Sequence, residues 1–272
     1  MSFIRLLQAR VEVSGSRLCV GLDPVLERLP EHLPKSLEGV RSFLEQIIRA
    51  TAPHAAAFKP NFAYFEALGP AGLELLQEVI RNIPEAIPVI GDAKRGDIGS
   101  SSEQYARAIF EQWGCHAVTV SPYMGTDSLE PFMARADRGV FVLCLTSNPG
   151  AEDFQLPGLY LQVARKVRAW NTSGNLGLVV GATRPETIGD IRTVSGPMPF
   201  LIPGVGAQGG ALEATLHQAQ DETSISCLIN ASRSLLYASS GEDFAQAAGV
   251  SAEALAEEIA AVSGKAPSSG QS

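Results

Sequence analysis

The chain has 272 residues, 45% of them hydrophobic and 18% charged, and 21 Lys and Arg against 29 Asp and Glu give a formal charge of -8. This is the composition of a globular protein, and its acidic balance argues against holding nucleic acid by counterion release; an anionic small substrate would need a local basic pocket. No apolar run is long enough for a signal sequence or approaches the ~20 residues of a membrane span, so the expected location is the cytoplasm.

Residues 1–15 predict a leading helix in which Phe3, Leu6, Leu7 and Val11 share one face. Short apolar or β-branched runs then recur at 17–23, 55–59, 87–94, 116–121, 140–146, 176–182, 200–203 and 225–231, which read as eight strands. Helical stripes lie between them, such as Tyr105, Ile109 and Trp113, or Val163, Val167 and Trp170. Eight βα units with near-continuous apolar strands call for a parallel sheet covered on its outside, and at this length a single (β/α)8 TIM barrel is the economical closure. A doubly wound open sheet is the alternative for the same order of elements. In the barrel the leading helix would cover the bottom. No linker divides the chain, so residues 1–263 are expected to form one catalytic domain. The stretch 264–272 (GKAPSSGQS) is too polar to offset its ordering entropy, which predicts a disordered tail.

Cys19, Cys115, Cys144 and Cys227 lack C-x-x-C spacing and sit among apolar residues, as reduced core thiols do. His32, His54, His116 and His217 fall in separate segments with no metal-binding pairing; helix caps or surface positions would account for them.

Catalytic groups of such barrels come from the carboxyl ends of the strands, so charge at those ends is the place to look. Asp23, Lys59, the run Asp92-Ala93-Lys94-Arg95-Gly96-Asp97, and Arg233 all stand where an apolar run stops. A lone Asp or Lys there is commonly a loop residue or a helix cap. Asp92 and Lys94 differ, because residues two apart on a strand project to the same side, here into the barrel mouth. Asp97 follows Gly96, belongs to the loop, and need not face its own barrel. The D-x-K pair could be an ion pair that only fixes register. With Lys59 beside it, the pattern instead sets cations and anions in contact, with the carboxylates keeping both lysines protonated. A protonated lysine disfavours Schiff-base chemistry and suits proton donation to a developing carbanion.

After the seventh run, 203–210 (PGVGAQGG) formally satisfies G-x-G-x-x-G. A dinucleotide fingerprint belongs after the first strand of a βαβ unit with an acidic partner on the next strand, whereas here the next strand ends in Arg233. Loops seven and eight are the usual phosphate corner of these barrels, where glycine amides and an Arg fork meet the anion. Glycines that only make a tight turn, with Arg233 on the surface, are the alternative.

Six motifs taken together resemble the orotidine 5'-phosphate decarboxylase family, in its branch of longer bacterial-type chains. They are GLDP at 21–24, FKPNFAYFEALG at 58–69, DAKRGDIG at 92–99, TSNPGAEDFQ at 146–155, PGVGAQGG at 203–210 and NASRSLLYA at 230–238. The likeness spans about residues 1–260, with no departure at a charged motif position. It implies decarboxylation of orotidine 5'-phosphate to UMP, in de novo pyrimidine synthesis, without metal or organic cofactor. By the same resemblance Lys59, Asp92, Lys94 and Asp97 form the catalytic set, with Lys94 the proton donor and Asp97 contributed across a homodimer interface. It further implies that Asp23 and Lys59 contact the ribose, that Ile98 and Ser101 accompany Asp97 from the partner subunit, and that Ser147 reads the pyrimidine amide, with Thr146 the neighbouring choice. Gly206, Gln208 and Arg233 would hold the phosphate. Rival readings are a metal-using sugar-phosphate enzyme with the same D-x-K-x-x-D, a silent barrel that only binds nucleotide or a protein, and a Schiff-base aldolase.

Overall fold

A computed structural model of the chain describes residues 1–182, 184–204 and 209–262, the last segment by backbone alone at 209–211. The elements run α1 (Phe3–Ser14), β1 (Leu18–Leu22), α2 (Leu37–Thr51), β2 (Ala55–Pro60), α3 (Phe62–Glu66), α4 (Pro70–Asn82), β3 (Ile90–Arg95) and α5 (Gly99–Arg107). They continue with β4 (Ala117–Val120), α6 (Thr126–Met133), β5 (Gly139–Leu145), α7 (Ala151–Phe154), α8 (Leu159–Trp170), β6 (Leu176–Val180), α9 (Pro185–Ser195), β7 (Phe200–Pro203), α10 (Gly209–Ala219), β8 (Cys227–Ala231), α11 (Arg233–Leu236) and α12 (Phe244–Val262). All ladder pairs are parallel, in the order β2-β1-β8-β7-β6-β5-β4-β3. Bridges Phe58 to Val89 and Asn61 to Asp92 join the two end strands, which brings the sheet close to a full barrel. The expected (β/α)8 architecture is the one observed, and the open doubly wound sheet is not.

Side-chain alternation along the strands sorts two cores. Val20, Phe58, Val118, Val140, Leu178, Ile202 and Ile229 point outward and pack under the helices. Cys19, Ala57, Ile90, Ala117, Phe141, Val179, Leu201 and Leu228 point inward, and Phe3, Leu7 and Val11 of α1 close the lower end of that inner core. Phe3 meets Phe141 edge to face at 5.8 Å. A Cβ at Gly139 would collide with the Phe3 ring, so the glycine is what lets the plug seat. The leading helix therefore covers the bottom as expected, although Leu6 is only half-buried. Helix α2 shows how the outer layer is specified: Ser36 Oγ accepts from the Gly39 N–H, and Val40, Phe43, Leu44, Ile47 and Ile48 form its buried stripe.

Local details depart from the sequence reading. Strands 1, 3 and 8 begin later than expected, at Leu18, Ile90 and Cys227. Tyr105 is exposed rather than in register with Ile109 and Trp113: the helix widens by one residue per turn over Ala108–Gln112, and that phase shift turns Tyr105 outward. His116 is neither cap nor surface group. It is half-buried beside β3, where Nδ1 accepts from the Val89 N–H at 3.1 Å; burial and then Arg138 lower its pKa. All four cysteines are free and buried, and burial pushes the thiols of Cys19, Cys115 and Cys144 up to about 12. Among the described residues no helix is long and apolar enough to cross a membrane. The tail expected at 264–272 lies outside the described residues.

Candidate active site

The inward side of the barrel changes character near its carboxyl end. Below, it is lined by alanine, isoleucine and phenylalanine; above, the next inward positions are Lys59 on β2, Asp92 on β3, Thr119 on β4 and Asn230 on β8, all buried. Buried polar groups cost free energy unless partnered, so four at one level of an otherwise apolar cylinder mark a place built for chemistry.

Asp92 is the centre of this layer. Its Oδ2 accepts from Lys59 Nζ at 2.6 Å and its Oδ1 from Lys94 Nζ at 2.6 Å, while Thr119 Oγ1 donates to the same Oδ1 at 3.0 Å. The Asp92 and Lys59 side chains are only 10% and 5% exposed, whereas that of Lys94 is 49% exposed. Burial works to raise the Asp92 carboxyl, but Lys59 and then Lys94 outweigh it and hold it well below the usual carboxylate range. Burial likewise works to lower the Lys59 ammonium, and Asp92 and then Asp23 outweigh that and raise it. The buried part is thus an ion pair with both partners charged, and Lys94 is the cation left facing the open mouth.

Asp92 and Lys94 do come together, by a different route from simple alternation. Gly91 pairs with Val118 and Arg95 with Val120, so a four-residue step on β3 faces a two-residue step on β4. Inside this bulge Lys94 has φ 47°, and among the described residues it is the only non-glycine in the left-handed region. The turn of its backbone folds the side chain back over Asp92.

The other expected residues are distributed around the mouth. Asp97 is half-buried, and its Oδ1 accepts from the adjacent Ile98 N–H at 2.7 Å; it enters no ion pair among the described residues. Ile98 and Ser101 are exposed on the same edge. Asp23 closes β1, and its loop is pinned where Tyr237 Oη accepts from the Val25 N–H at 2.7 Å under the Arg28 guanidinium. Ser147 follows β5 and lies against Gly181 and Gly204, beyond the ends of β6 and β7; a cavity of about 270 Å3 opens there beside Thr146, Asn148 and Arg184. Arg233 is the exposed first residue of α11. Gly206 and Gln208 lie outside the described residues.

Three further residues belong to this mouth: Thr119, which lies outside all six motifs, and Asn230 and Ser232, which the motif at 230–238 contains without a role of their own. Among the described residues the Oδ1 atoms of Asn230 and Asp23 and the Oγ of Ser232 are buried without a hydrogen-bond partner, and Asn230 and Ser232 crowd the space above Gly21. A single polar residue at an inward position of an apolar run, as in AVTV or CLINA, is the signal that would have found Thr119 and Asn230.

A sequence model of the orotidine 5'-phosphate decarboxylase / HUMPS family matches residues 16–248. The chain belongs to that family. Among its relatives, the orotidine 5'-phosphate decarboxylase of Herpetosiphon aurantiacus is 48% identical over 260 residues, covering 93% of this chain and 96% of the relative. That of Bordetella pertussis is 46% identical over 271 residues, covering 96% and 99%. The structure of Leishmania donovani OMP decarboxylase superposes with a TM-score of 0.86 at 41% identity, over 98% of this chain and all of the other. A Toxoplasma gondii structure described as a putative orotidine-monophosphate-decarboxylase gives 0.87 at 37%, over 96% of each. The family membership accounts for the barrel, and the polar layer is where its chemistry has to be sought.

Proposed function

We propose that this protein decarboxylates orotidine 5'-phosphate to UMP in pyrimidine synthesis, with residues 1–263 as one catalytic domain working in the cytoplasm. The observation that carries the reading is the chain Lys59–Asp92–Lys94, in which both ammoniums bond the carboxylate at 2.6 Å, that of Lys59 buried and that of Lys94 half exposed at the barrel mouth. Full-length relatives named for this activity support it.

The chemistry follows from charge. Breaking the C6–carboxylate bond releases CO2 and leaves an electron pair on C6 that cannot delocalise into the ring carbonyls. The reduction in barrier required is then on the order of the largest that enzymes supply, about 23 kcal/mol. The Asp92 carboxylate at ~4 Å from the substrate carboxylate would repel it by about 4 kcal/mol at an effective dielectric near 20, a minor share. The greater share falls to the Lys94 ammonium, which stabilises the negative charge as it appears and then transfers a proton from Nζ to C6. Lys94 is left as a neutral amine that regains its proton from solvent, so one proton is consumed for each CO2 released.

In this reading Asp23 and Lys59 hold the ribose, and Ser147 reads the pyrimidine amide. The Thr146 hydroxyl is already engaged, donating to Asn148 Oδ1 at 2.6 Å and accepting from Gln155 Nε2 at 2.9 Å, which favours Ser147 over its neighbour. Arg233, with Gly206 and Gln208, grips the phosphate, and binding energy won there is expressed in the transition state through enclosure of the base. Asp97, Ile98 and Ser101 serve the site of a partner subunit in a homodimer. Exposed apolar side chains on that edge, Ile98 at 58%, Tyr123 at 80% and Phe154 at 68%, support an interface there.

The direct test is loss of orotidylate absorbance with CO2 release, with and without EDTA. Turnover indifferent to the chelator is expected; no turnover would refute the reading, and loss on chelation would favour a metal-using sugar-phosphate enzyme. Arg233→Ala is expected to lower kcat/KM for the nucleotide by about 100-fold or more, as loss of a charged hydrogen-bonding clamp does, and barely to change the trace reaction of the phosphate-free nucleoside. Equal losses on both substrates would remove Arg233 from the phosphate site.

A further inference from the structure

We propose that Thr119 is a positioning residue that sets the geometry of Lys94 and Asp92 together, and that its hydroxyl replaces the backbone pairing which the β3 bulge gives up. Thr119 lies between Val118 and Val120, the two β4 residues that pair with Gly91 and Arg95, and so stands opposite the extra residues of β3. In a regular ladder the Lys94 N–H would find a carbonyl on the neighbouring strand; in a bulge it is orphaned, and a buried donor without a partner is costly. Thr119 Oγ1 accepts that N–H at 3.0 Å. A hydroxyl has a single proton, and with a lone pair given to Lys94 it sends that proton to Asp92 Oδ1 at 3.0 Å.

One oxygen atom therefore ties the left-handed backbone of residue 94 to the carboxylate that receives its ammonium. Left-handed backbone at a residue with a Cβ persists only where surroundings over-determine it, and this hydrogen bond is the contact that does so at Lys94. Thr119 is 1% exposed and its hydroxyl is taken up by the Lys94 N–H and by Asp92, so it acts through Asp92 and Lys94 and not on the reacting atoms. Valine at this position would keep the volume and the branched Cβ and remove both hydrogen bonds.

The consequence for catalysis rests on the decarboxylase reading, and the consequence for geometry does not, so the experiment has two arms. In the first, Thr119→Val is expected to lower kcat roughly 100-fold, as an ångström-scale misplacement of the donor does, with KM and UMP affinity changed by no more than about threefold. Thr119→Ser, which keeps the hydroxyl, is expected to recover most of kcat. Turnover of the valine variant near that of the parent, or a serine variant as slow as valine, would overturn the proposal. In the second arm, a crystal structure of Thr119→Val, or of Thr119→Ala if valine does not fold, is expected to show residue 94 outside the left-handed region and Nζ parted from Asp92. Lys94 unmoved in either variant would overturn the proposal even if the parent enzyme proved not to act on orotidylate, a result that would by itself refute only the reading of the reaction.

Discussion

Lys94→Ala is expected to abolish turnover while leaving UMP binding measurable. Loss of a preorganised charge at the point where an anion develops costs about 100- to 1,000-fold, and loss of the proton donor a further 100- to 10,000-fold, so a fall in kcat on the order of 10,000-fold or more is expected. Single-turnover assays at saturating substrate would measure it, and decarboxylation within about tenfold of the parent would remove Lys94 from the role. The same position separates function from stability. Glycine has no Cβ to strain at φ 47°, so Lys94→Gly should unfold at higher urea than Lys94→Ala, by about 1 kcal/mol, the reverse of the usual order of the two residues. Mixing inactive Lys94→Ala with inactive Asp97→Ala chains tests the shared site: a mixed dimer holds one site with neither defect, so activity should return on mixing. If it stays absent although the chains exchange, Asp97 does not serve a partner's Lys94.

Removing Asp92 should have the largest effect on the folded state. With its 5% exposed side chain, Lys59 would keep a charge in the barrel with its closest counter-ion gone, and breaking a buried pair in this way costs about 3–5 kcal/mol. Asp92→Ala is therefore expected to lower the urea midpoint sharply and to be inactive. The double variant Lys59→Met, Asp92→Leu, which removes both charges, should regain most of the stability and none of the activity. A single variant as stable as the parent would mean that Lys59 reaches solvent when unpaired. The pH dependence has a definite sign. The folded Asp92 carboxyl ionises below its unfolded value, so the unfolded chain binds the proton more readily. The stabilisation is present above the unfolded carboxyl pKa, about 4, and is lost as pH falls below it. Asp92→Ala should flatten the acid limb of the stability curve, which urea titrations between pH 5 and pH 3 would detect.

The barrel was legible in the chain because its evidence is local and repeated. Apolar runs such as LCVGL and LGLVV, separated by amphipathic stripes, leave a parallel sheet with both faces covered as the natural solution, and eight of them close it. The plug helix was legible for the same reason, from the spacing of Phe3, Leu7 and Val11. Lys59, Asp92 and Lys94 were found as charges at the ends of apolar runs. The contact between Asp92 and Lys94 was anticipated from alternation, yet it is made by a bulge and a left-handed residue, which period-two reasoning does not contain.

By itself, then, the order of residues determined which elements form and which end of the cylinder carries charge, since both depend on the burial of neighbours along the chain. The partnership of Thr119 with Lys94 and Asp92, the division of labour between a buried and a facing lysine, and the inward polar layer completed by Asn230 were decided only by the tertiary structure. The physical reason is that these depend on strand stagger and on a local break in pairing. Both join residues 25 to 33 apart in sequence through hydrogen bonds whose length and direction exist only once the sheet has curved back on itself.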